Sequence, residues 1–307
     1  MQTLKLINDS PARLDVALQS VLPMSRSKLQ KAIKDGKILV DGETTTPHAA
    51  VSSANAVTYD PELLAKPDEP TGTLPALDII SEDADVVVVN KPAGILSHAA
   101  PGTNEYTLAD ALMAHCPGMD KVGDDPVRAG LVHRLDRDAS GVVVAAKTRE
   151  AFLFLKRQFS ERATTKRYAV LVLGELADDA GTISFPIARS VTHGRMAARP
   201  ASQDGREAVT HFDVVERLPH ATLLDVTIET GRTHQIRAHF FALQHPVVGD
   251  MLYTQKGLKQ IDIGRLFLHA RELTITLPSG IPQTFTAPLP QELTEVLERM
   301  RQTGKKH

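Results

Sequence analysis

Short strand-like apolar runs, separated by helical patterns and charged loops, dominate the sequence from Leu77 onward. The runs cover Val86 to Val89, Gly141 to Ala146, Tyr168 to Leu173, Thr222 to Ile228 and Leu273 to Leu277. Helical patterns lie between them, at Thr107 to Cys116, Glu150 to Glu161 and Thr233 to Gln244. Because the two kinds of segment do not alternate regularly, they favour an α+β fold with a mixed, largely antiparallel sheet over a doubly wound fold.

The first 60 residues predict a separate small unit that begins with a short helix. Ser10 is a candidate N-cap, and Pro11 would follow it at the first helical position. Apolar residues then recur at helical spacing, at Leu14, Ala17, Leu18 and Val21. Pro23 ends this pattern, because proline cannot continue a helix without loss of a backbone hydrogen bond.

A second short helix with one basic face follows in the sequence. We expect Ser25 to cap this helix and Gly36 to end it, with Leu29 and Ile33 buried. The opposite face would carry Arg26, Lys28, Lys31 and Lys34. A strand over residues 37–40 then leads to Asp41-Gly42, a tight-turn dipeptide, and to a second strand.

The composition changes after residue 60. Residues 61–76 are rich in proline and poor in large apolar side chains, which is typical of an extended linker. We therefore expect a small domain over residues 1–60 and a larger domain over residues 77–307. A chain of 307 residues is long enough to bury a core in each of them.

Charge and cysteine content limit the classes of protein that fit. The 35 basic and 37 acidic residues give a net charge of −2, but the stretch from Arg128 to Arg167 has ten basic residues against four acidic ones. Because a polyanion responds to the local field, a groove that binds a polyanion such as a nucleic acid is compatible with this nearly neutral chain. The single Cys116 excludes an internal disulfide and a cysteine-rich zinc site.

The N-terminal sequence and the hydropathy pattern predict a cytoplasmic protein without a membrane partner. There is no run of 18 apolar residues that would span a bilayer. The opening residues MQTLKLINDSPARLD lack the basic and then apolar layout of a signal peptide.

The loop before the apolar run at Gly141 holds the densest group of reactive side chains, namely His133, Arg134, Asp136, Arg137 and Asp138. Reactive groups are often found on loops that a rigid sheet supports. A carboxylate between two arginines should stay ionised, because nearby cations favour its charged form. Asp136 could then act as a nucleophile or a base but not as a general acid. A surface ion-pair loop is the simpler alternative.

Three further segments place polar residues beside strand-forming ones. The turn Lys91-Pro92-Ala93-Gly94 alone predicts only a structural turn. Tyr168, next to two cations, could stack on a base or serve as an ordinary packing residue.

The third segment, residues 228–250, predicts a helix that begins at Thr233. On this helix His234 and Arg237, three residues apart, would share one face, and Ile236, Phe240 and Leu243 would be buried. His234 and His239 are five residues apart and do not share a face, so we expect no metal site.

Two known families resemble these segments. The string RLDVALQSVLPMSRSKLQKAIKDGKILVDGE, at residues 13–43, resembles the S4 RNA-binding domain. This resemblance implies that Arg26, Lys28 and Lys31 contact the phosphate backbone of structured RNA. By composition alone, the same lysine-rich face could simply be solvated.

The larger domain resembles the RluA-type pseudouridine synthases. The resemblance is carried by the strings NKPAG, HRLDRDASG, KRY, TGRTHQIRAH and LHA, whose order and spacing match over residues 77–290. It implies isomerisation of uridine to pseudouridine in RNA. That reaction involves no redox change and consumes nothing, so we expect neither a cofactor nor a metal.

The resemblance also implies roles for individual residues. The catalytic residues would be Asp136, its charged partner Arg237, and Tyr168, which would lie against the flipped base. Ala139 stands where the family usually has threonine, which leaves the fine geometry open. The substrate-binding residues would be Arg134, which would enter the RNA where the uridine has left, together with His133 and the pocket-floor residue Leu268.

The substrate prediction is large-subunit (23S) ribosomal RNA, either free or within the subunit or its precursor. A tRNA pseudouridine synthase and a non-catalytic ribosome-assembly factor are the alternatives from the resemblance. A nucleoside or glycoside hydrolase that uses Asp136 and Asp138 is the alternative from the residues themselves. We expect a monomer, because the sequence has no strong exposed apolar stripe.

Overall fold

A computed structural model describes residues 1–22, 24, 26–64, 70–100, 103–190, 194–200, 202–255, 257–258 and 261–304. The chain divides into two compact units, Met1–Glu69 and Pro70–His307. The division falls within the predicted linker, where Pro61–Leu64 form a short 3-10 helix instead of extended chain. The predicted domain limits stay a prediction. Ser25 and Pro23 lie outside the described residues.

The N-terminal unit packs two helices against short strands. Its elements are β1 (Gln2–Leu4), β2 (Ala12–Arg13), α1 (Leu14–Gln19), α2 (Arg26–Lys34), β3 (Ile38–Val40), β4 (Ala50–Val51) and β5 (Val57–Tyr59). Three strands form a sheet in the order β1-β5-β3, and β2 pairs with β4. The predicted apolar positions Leu14, Leu18, Leu29 and Ile33 are fully buried between these elements.

Two local predictions for this unit are wrong. Ser10 does not cap the first helix, because residues 12 and 13 pair as a strand and α1 begins only at Leu14. Asp41 and Gly42 form the predicted turn, with φ angles of 53° and 85°. The chain after the turn adds only an isolated bridge at Glu43, and the partner of β3 is the more distant β5.

The C-terminal unit is built on one large twisted sheet. Its elements are β6 (Ile79–Glu82), β7 (Val86–Lys91), α3 (Leu108–His115), β8 (Ser140–Ala146), α4 (Arg149–Ser160), β9 (Thr165–Leu173), β10 (Ala180–Ile183), β11 (Ile187–Arg189), β12 (Met196–Ala198), β13 (Thr210–Leu218), β14 (Ala221–Ile228), α5 (Gln235–Ala242), β15 (Leu268–Thr276), β16 (Pro282–Thr286) and α6 (Gln291–Gly304). The strand order is β10-β13-β14-β9-β15-β8-β7-β6, with β16 also paired to β15.

The predicted α+β class with a mixed, largely antiparallel sheet is confirmed, since β15 and β8 form a parallel pair within otherwise antiparallel neighbours. Both faces of the sheet are covered. Val87 and Val89 enter one core cluster, whereas Val86 and Val88 enter the cluster on the opposite face. A continuous valine run fits this position, because successive side chains of a strand point to opposite faces.

The parallel pair brings the start of β15 beside the loop that precedes β8. His269 of β15 is in register with Ser140, the first residue of β8. Gly141 has a φ of 119°, and a Cβ at this position would lie 2.1 Å from the carbonyl oxygen of Ala270. Only glycine permits this close approach, which places the residue 133–139 loop next to Leu268. None of the helices in the described part of the chain has the length and hydropathy to span a bilayer.

Candidate active site

A cavity of about 310 Å³ lies at this end of the sheet. The structure brings all six predicted site residues of the larger unit to its wall, namely His133, Arg134, Asp136, Tyr168, Arg237 and Leu268. They come from the loop before β8, from β9, from α5 and from the first residue of β15. The sequence did not single out His98, Arg128 or Arg232 as site residues, although their side chains also line the cavity.

The charged partner of Asp136 comes from a helix distant in sequence. Arg237 donates a 3.1 Å hydrogen bond from Nη1 to Oδ2 of Asp136. The two arginines that flank Asp136 in sequence do not form an ion pair with it. Arg137 pairs with Glu105, and Arg134 forms no ion pair with any residue in the described ranges. The cation in contact with Asp136 is thus Arg237, the residue that the family resemblance implied as its partner, and not either of its neighbours in sequence.

A buried aspartate fixes the orientation of Arg237. Asp250 accepts two hydrogen bonds from this guanidinium, from Nε at 2.6 Å and from Nη2 at 2.9 Å. The Tyr253 ring lies 5.1 Å from the same guanidinium. Burial lowers the pKa of Arg237, but Asp250 and Asp136 outweigh it and raise the pKa above its usual range. The guanidinium thus remains a fixed cation with one N–H edge directed at Asp136.

The turn after β7 holds the Asp136 loop in place. Lys91 is fully buried, and its ammonium donates hydrogen bonds of 2.8 to 3.0 Å to the carbonyl oxygens of Pro92, Ile95 and Arg137. The Ser97 hydroxyl donates to the Leu135 carbonyl at 2.9 Å and accepts from the Leu135 N–H at 3.1 Å. The sequence predicted this segment only as a structural turn. It in fact fastens the backbone on both sides of Asp136.

Tyr168 and Leu268 give the cavity an apolar wall and floor. Both side chains are buried, and they lie on the paired strands β9 and β15. Burial, together with the negative charge of Asp136, raises the pKa of Tyr168 above its usual range. The phenol therefore stays neutral at physiological pH, which suits a ring that lies against an uncharged base.

His133 lines the cavity but is also tied to the sheet. Its Nε2 accepts a 3.0 Å hydrogen bond from the N–H of Val144, and its ring stacks on Phe159 at a centroid distance of 4.7 Å. Burial, with a smaller effect of Lys166, lowers the pKa of His133 to about 3. The ring is thus neutral, with its proton on Nδ1. Its predicted contact with RNA stays a prediction.

The cavity wall carries one carboxylate, Asp136, among the described residues. Asp138 is exposed and does not line the cavity, because a turn closed by the hydrogen bond from Ala139 N–H to Asp136 O directs it away. A glycoside hydrolase needs two carboxyl groups that flank the scissile bond. This geometry does not favour the hydrolase alternative. Ala139 adds only a methyl group to the wall at the position of the family's threonine.

The start of α5 differs from the prediction. The helix begins at Gln235, and the residue before it is His234, with a φ of 54°, so Thr233 is not the cap. The Gln235 side chain fixes the turn before the helix by accepting from the N–H of Arg232 and from the Thr230 hydroxyl. Ile236 and Phe240 are buried as predicted. His239 faces Thr210 and Phe185 and lies away from the cavity wall.

In the N-terminal unit the predicted RNA-binding residues have different surroundings. Arg26 donates to the buried carboxylate of Asp15 at 3.0 Å, so its charge supports the fold of the unit as well. Lys28 and Lys31 are exposed on the outer face of α2. Their predicted contact with RNA stays a prediction.

Three side chains of types that can bind a metal ion lie together outside the cavity. The donor atoms of Glu82, His115 and Cys116 lie within 4.8 Å of one another. Glu82 is already paired with Lys147 at 2.6 Å and with His115 at 2.8 Å. The carboxylate of this group thus has a cation in place.

Comparison with known proteins identifies the class. Residues 85–242 match the RNA pseudouridylate synthase family, and residues 12–56 match the S4 domain. The chain belongs to the RNA pseudouridylate synthase family, as its motifs predicted.

Relatives of similar length support this assignment. An uncharacterized RNA pseudouridine synthase, YlyB of Bacillus subtilis (strain 168), is 38% identical over 91% of each chain. Ribosomal large subunit pseudouridine synthase D of Vibrio vulnificus (strain CMCP6) is 37% identical over 96% of this chain and 93% of its own. The solved structure of human RNA pseudouridylate synthase domain containing 1 has a TM-score of 0.59 at 27% identity, over 75% of this chain and 97% of its own.

Proposed function

We propose that this protein isomerises uridine to pseudouridine in large-subunit ribosomal RNA, with Asp136 as the catalytic carboxylate. The observation that carries the proposal is the placement of Asp136 on the cavity wall, aimed by an arginine that a buried aspartate holds. The hydrogen bond from Arg237 holds this carboxylate in one orientation at the cavity wall, from which it can approach a ribose carbon.

The reaction breaks the bond from ribose C1′ to N1 of the base and forms a bond from C1′ to C5. The C5 proton is lost, and N1 gains a proton. The target base must first leave its stack, at a cost of a few kcal/mol. We assign Arg134, exposed at the cavity mouth, to the space that the base leaves in the RNA.

Tyr168 and Leu268 would hold the flipped base and exclude water, so that the detached base is not lost to hydrolysis. Asp136 would then meet the positive charge that develops on the ribose as the glycosidic bond loosens. Attack on C1′ and removal of a ribose proton both use the same carboxylate.

The names of the relatives support the substrate. The Vibrio vulnificus protein is named for the large ribosomal subunit, and so is a relative from Escherichia coli O6:H1 that is 36% identical over 98% of this chain. An S4 domain fits binding to structured RNA. We propose a monomer that acts in the cytoplasm on free RNA or on the assembling subunit.

The test is release of tritium from ribosomal RNA labelled at uridine C5. Wild type should release tritium, and Asp136→Asn should not, although it should bind the RNA normally. Asp138→Asn is the matched control, because it changes an acid in the same loop that lies off the cavity wall. Normal release by Asp136→Asn would refute the role of Asp136. No release by wild type from free RNA or immature subunits would refute the substrate.

A further inference from the structure

His234 lines the cavity but has no role in the reaction steps proposed above. It lies directly before α5, three residues ahead of Arg237, and lines the cavity together with Asp136. Its φ of 54° is a left-handed conformation that non-glycine residues seldom adopt. Histidine, asparagine and aspartate tolerate that conformation better than most residues.

The hydrogen bonds of Tyr253 determine which nitrogen of His234 carries the proton. The Tyr253 hydroxyl lies 2.9 Å from the carbonyl oxygen of Met196, which can only accept. The single hydroxyl proton is therefore donated to Met196. The Nδ1 atom of His234 lies 3.3 Å from the same hydroxyl, so Nδ1 must be the donor in that contact.

A neutral imidazole has one N–H, so a proton on Nδ1 leaves Nε2 as an acceptor. Burial lowers the pKa of His234, while the charge of Asp136 acts in the opposite direction. The ring is therefore neutral at physiological pH. Among the described residues, Nε2 has no hydrogen-bond partner, and the ring lies on the cavity wall.

We propose that Nε2 of His234 accepts a hydrogen bond from the ribose 2′-hydroxyl of the target uridine and so selects RNA over DNA. The inference rests on the proposed function, which places Asp136 at C1′. His234 lies on the same side of the cavity, since Tyr253 contacts both His234 and Arg237, the partner of Asp136.

Among the hydrogen-bond donors of the target nucleotide, the 2′-hydroxyl lies nearest to C1′, because it sits on the adjacent ribose carbon. The N3–H of uracil points away from the glycosidic bond and so away from Asp136. A protein distinguishes RNA from DNA at a given site through contact with this hydroxyl.

The experiment compares four proteins, namely wild type, two His234 variants and one control variant, on two substrates. The target uridine is first mapped in ribosomal RNA that wild type has modified. The probe is a synthetic RNA hairpin that carries this uridine, made with either ribose or 2′-deoxyribose at that one nucleotide. His234→Asn keeps a donor near Nδ1 and tolerates the left-handed backbone, but it has no atom at Nε2. His220→Asn is the matched control, because His220 is an exposed histidine with a φ of 63° in the β13–β14 turn.

Single-turnover rates are measured for each of the eight combinations of protein and RNA. The preference of wild type for ribose over 2′-deoxyribose should shrink by about tenfold in His234→Asn, which corresponds to one hydrogen bond. It should not change in His220→Asn. His234→Gln, which returns a polar atom near Nε2, should restore part of the preference and serves as the second variant if the asparagine protein does not fold.

An unchanged ribose preference in both His234 variants, whatever their absolute rates, would overturn the proposal and assign His234 to the base or to the fold. A wild type that releases no tritium from labelled ribosomal RNA or from immature subunits would instead refute the proposed function on which the inference rests. The two failures are therefore distinguishable.

Discussion

Arg237 bridges two carboxylates, Asp136 at the cavity and Asp250 in the core. Its Nη1 atom lies 3.1 Å from Asp136, which faces the cavity, and its other N–H groups bind Asp250, which is fully buried. The bidentate contact with Asp250 leaves the guanidinium little freedom to rotate. The orientation of the proposed catalytic carboxylate is therefore set from within the protein core.

Arg237→Lys should lower the single-turnover rate by about a hundredfold. A lysine keeps the charge but cannot contact both carboxylates. A displacement of the catalytic carboxylate by about 1 Å is enough for a loss of this size. RNA affinity should change little. Arg301→Lys is the control, since Arg301 makes a comparable two-bond contact with Glu216 at the surface. A normal rate for Arg237→Lys would contradict the bridging role.

Lys91→Met should reduce both stability and rate. The change removes the ammonium donor from three partly buried carbonyl oxygens, and an unsatisfied group costs about 1–3 kcal/mol when it is fully buried. The Asp136 loop should loosen, and the rate should fall further than the loss of folded protein explains. Thermal melting and single-turnover kinetics measure the two effects. Lys147→Met, which removes a lysine that pairs with Glu82, is expected to leave the rate unchanged.

His133 should make stability fall in acid. Its pKa is about 3 in the folded protein and about 6.5 when unfolded, so the unfolded chain takes up the proton first as the pH falls below 6.5. Between pH 6.5 and pH 5 this contributes a loss of about 2 kcal/mol. His133→Gln should melt at a lower temperature than wild type at pH 7. Between pH 7 and pH 5, however, its melting temperature should fall by less than that of wild type. An equal fall in melting temperature for both proteins would contradict the conclusion that the His133 ring is neutral in the folded protein.

The outer face of α2 should contribute to RNA affinity through phosphate contacts. The double variant Lys28→Gln, Lys31→Gln should bind ribosomal RNA more weakly, and the slope of log K against log salt should fall by about 2, because each phosphate contact contributes about 0.9. The rate at saturating RNA should not change. Filter binding over a salt series measures the slope. A slope equal to that of wild type would mean that this face is merely solvated.

Much of the fold was predictable because its signals are local. The valine run of β7 and the apolar run of β8 predicted strands, and the structure has them within two residues of the predicted limits. Helix and strand ends were less predictable. Residues 12 and 13 joined a strand instead of a helix because β4, distant in sequence, offered them backbone partners.

The sequence alone determined the family, the α+β class and the six residues that meet at the cavity, since order and spacing of motifs are properties of the chain. The family resemblance also implied the pair of Asp136 and Arg237. The contacts that support this pair were decided only by the tertiary structure, which fastened Arg237 to the buried Asp250, turned Asp138 away from the cavity and put the buried Lys91 under the loop. Ion pairs depend on distance and burial in space, and neighbours along the chain do not specify either of these.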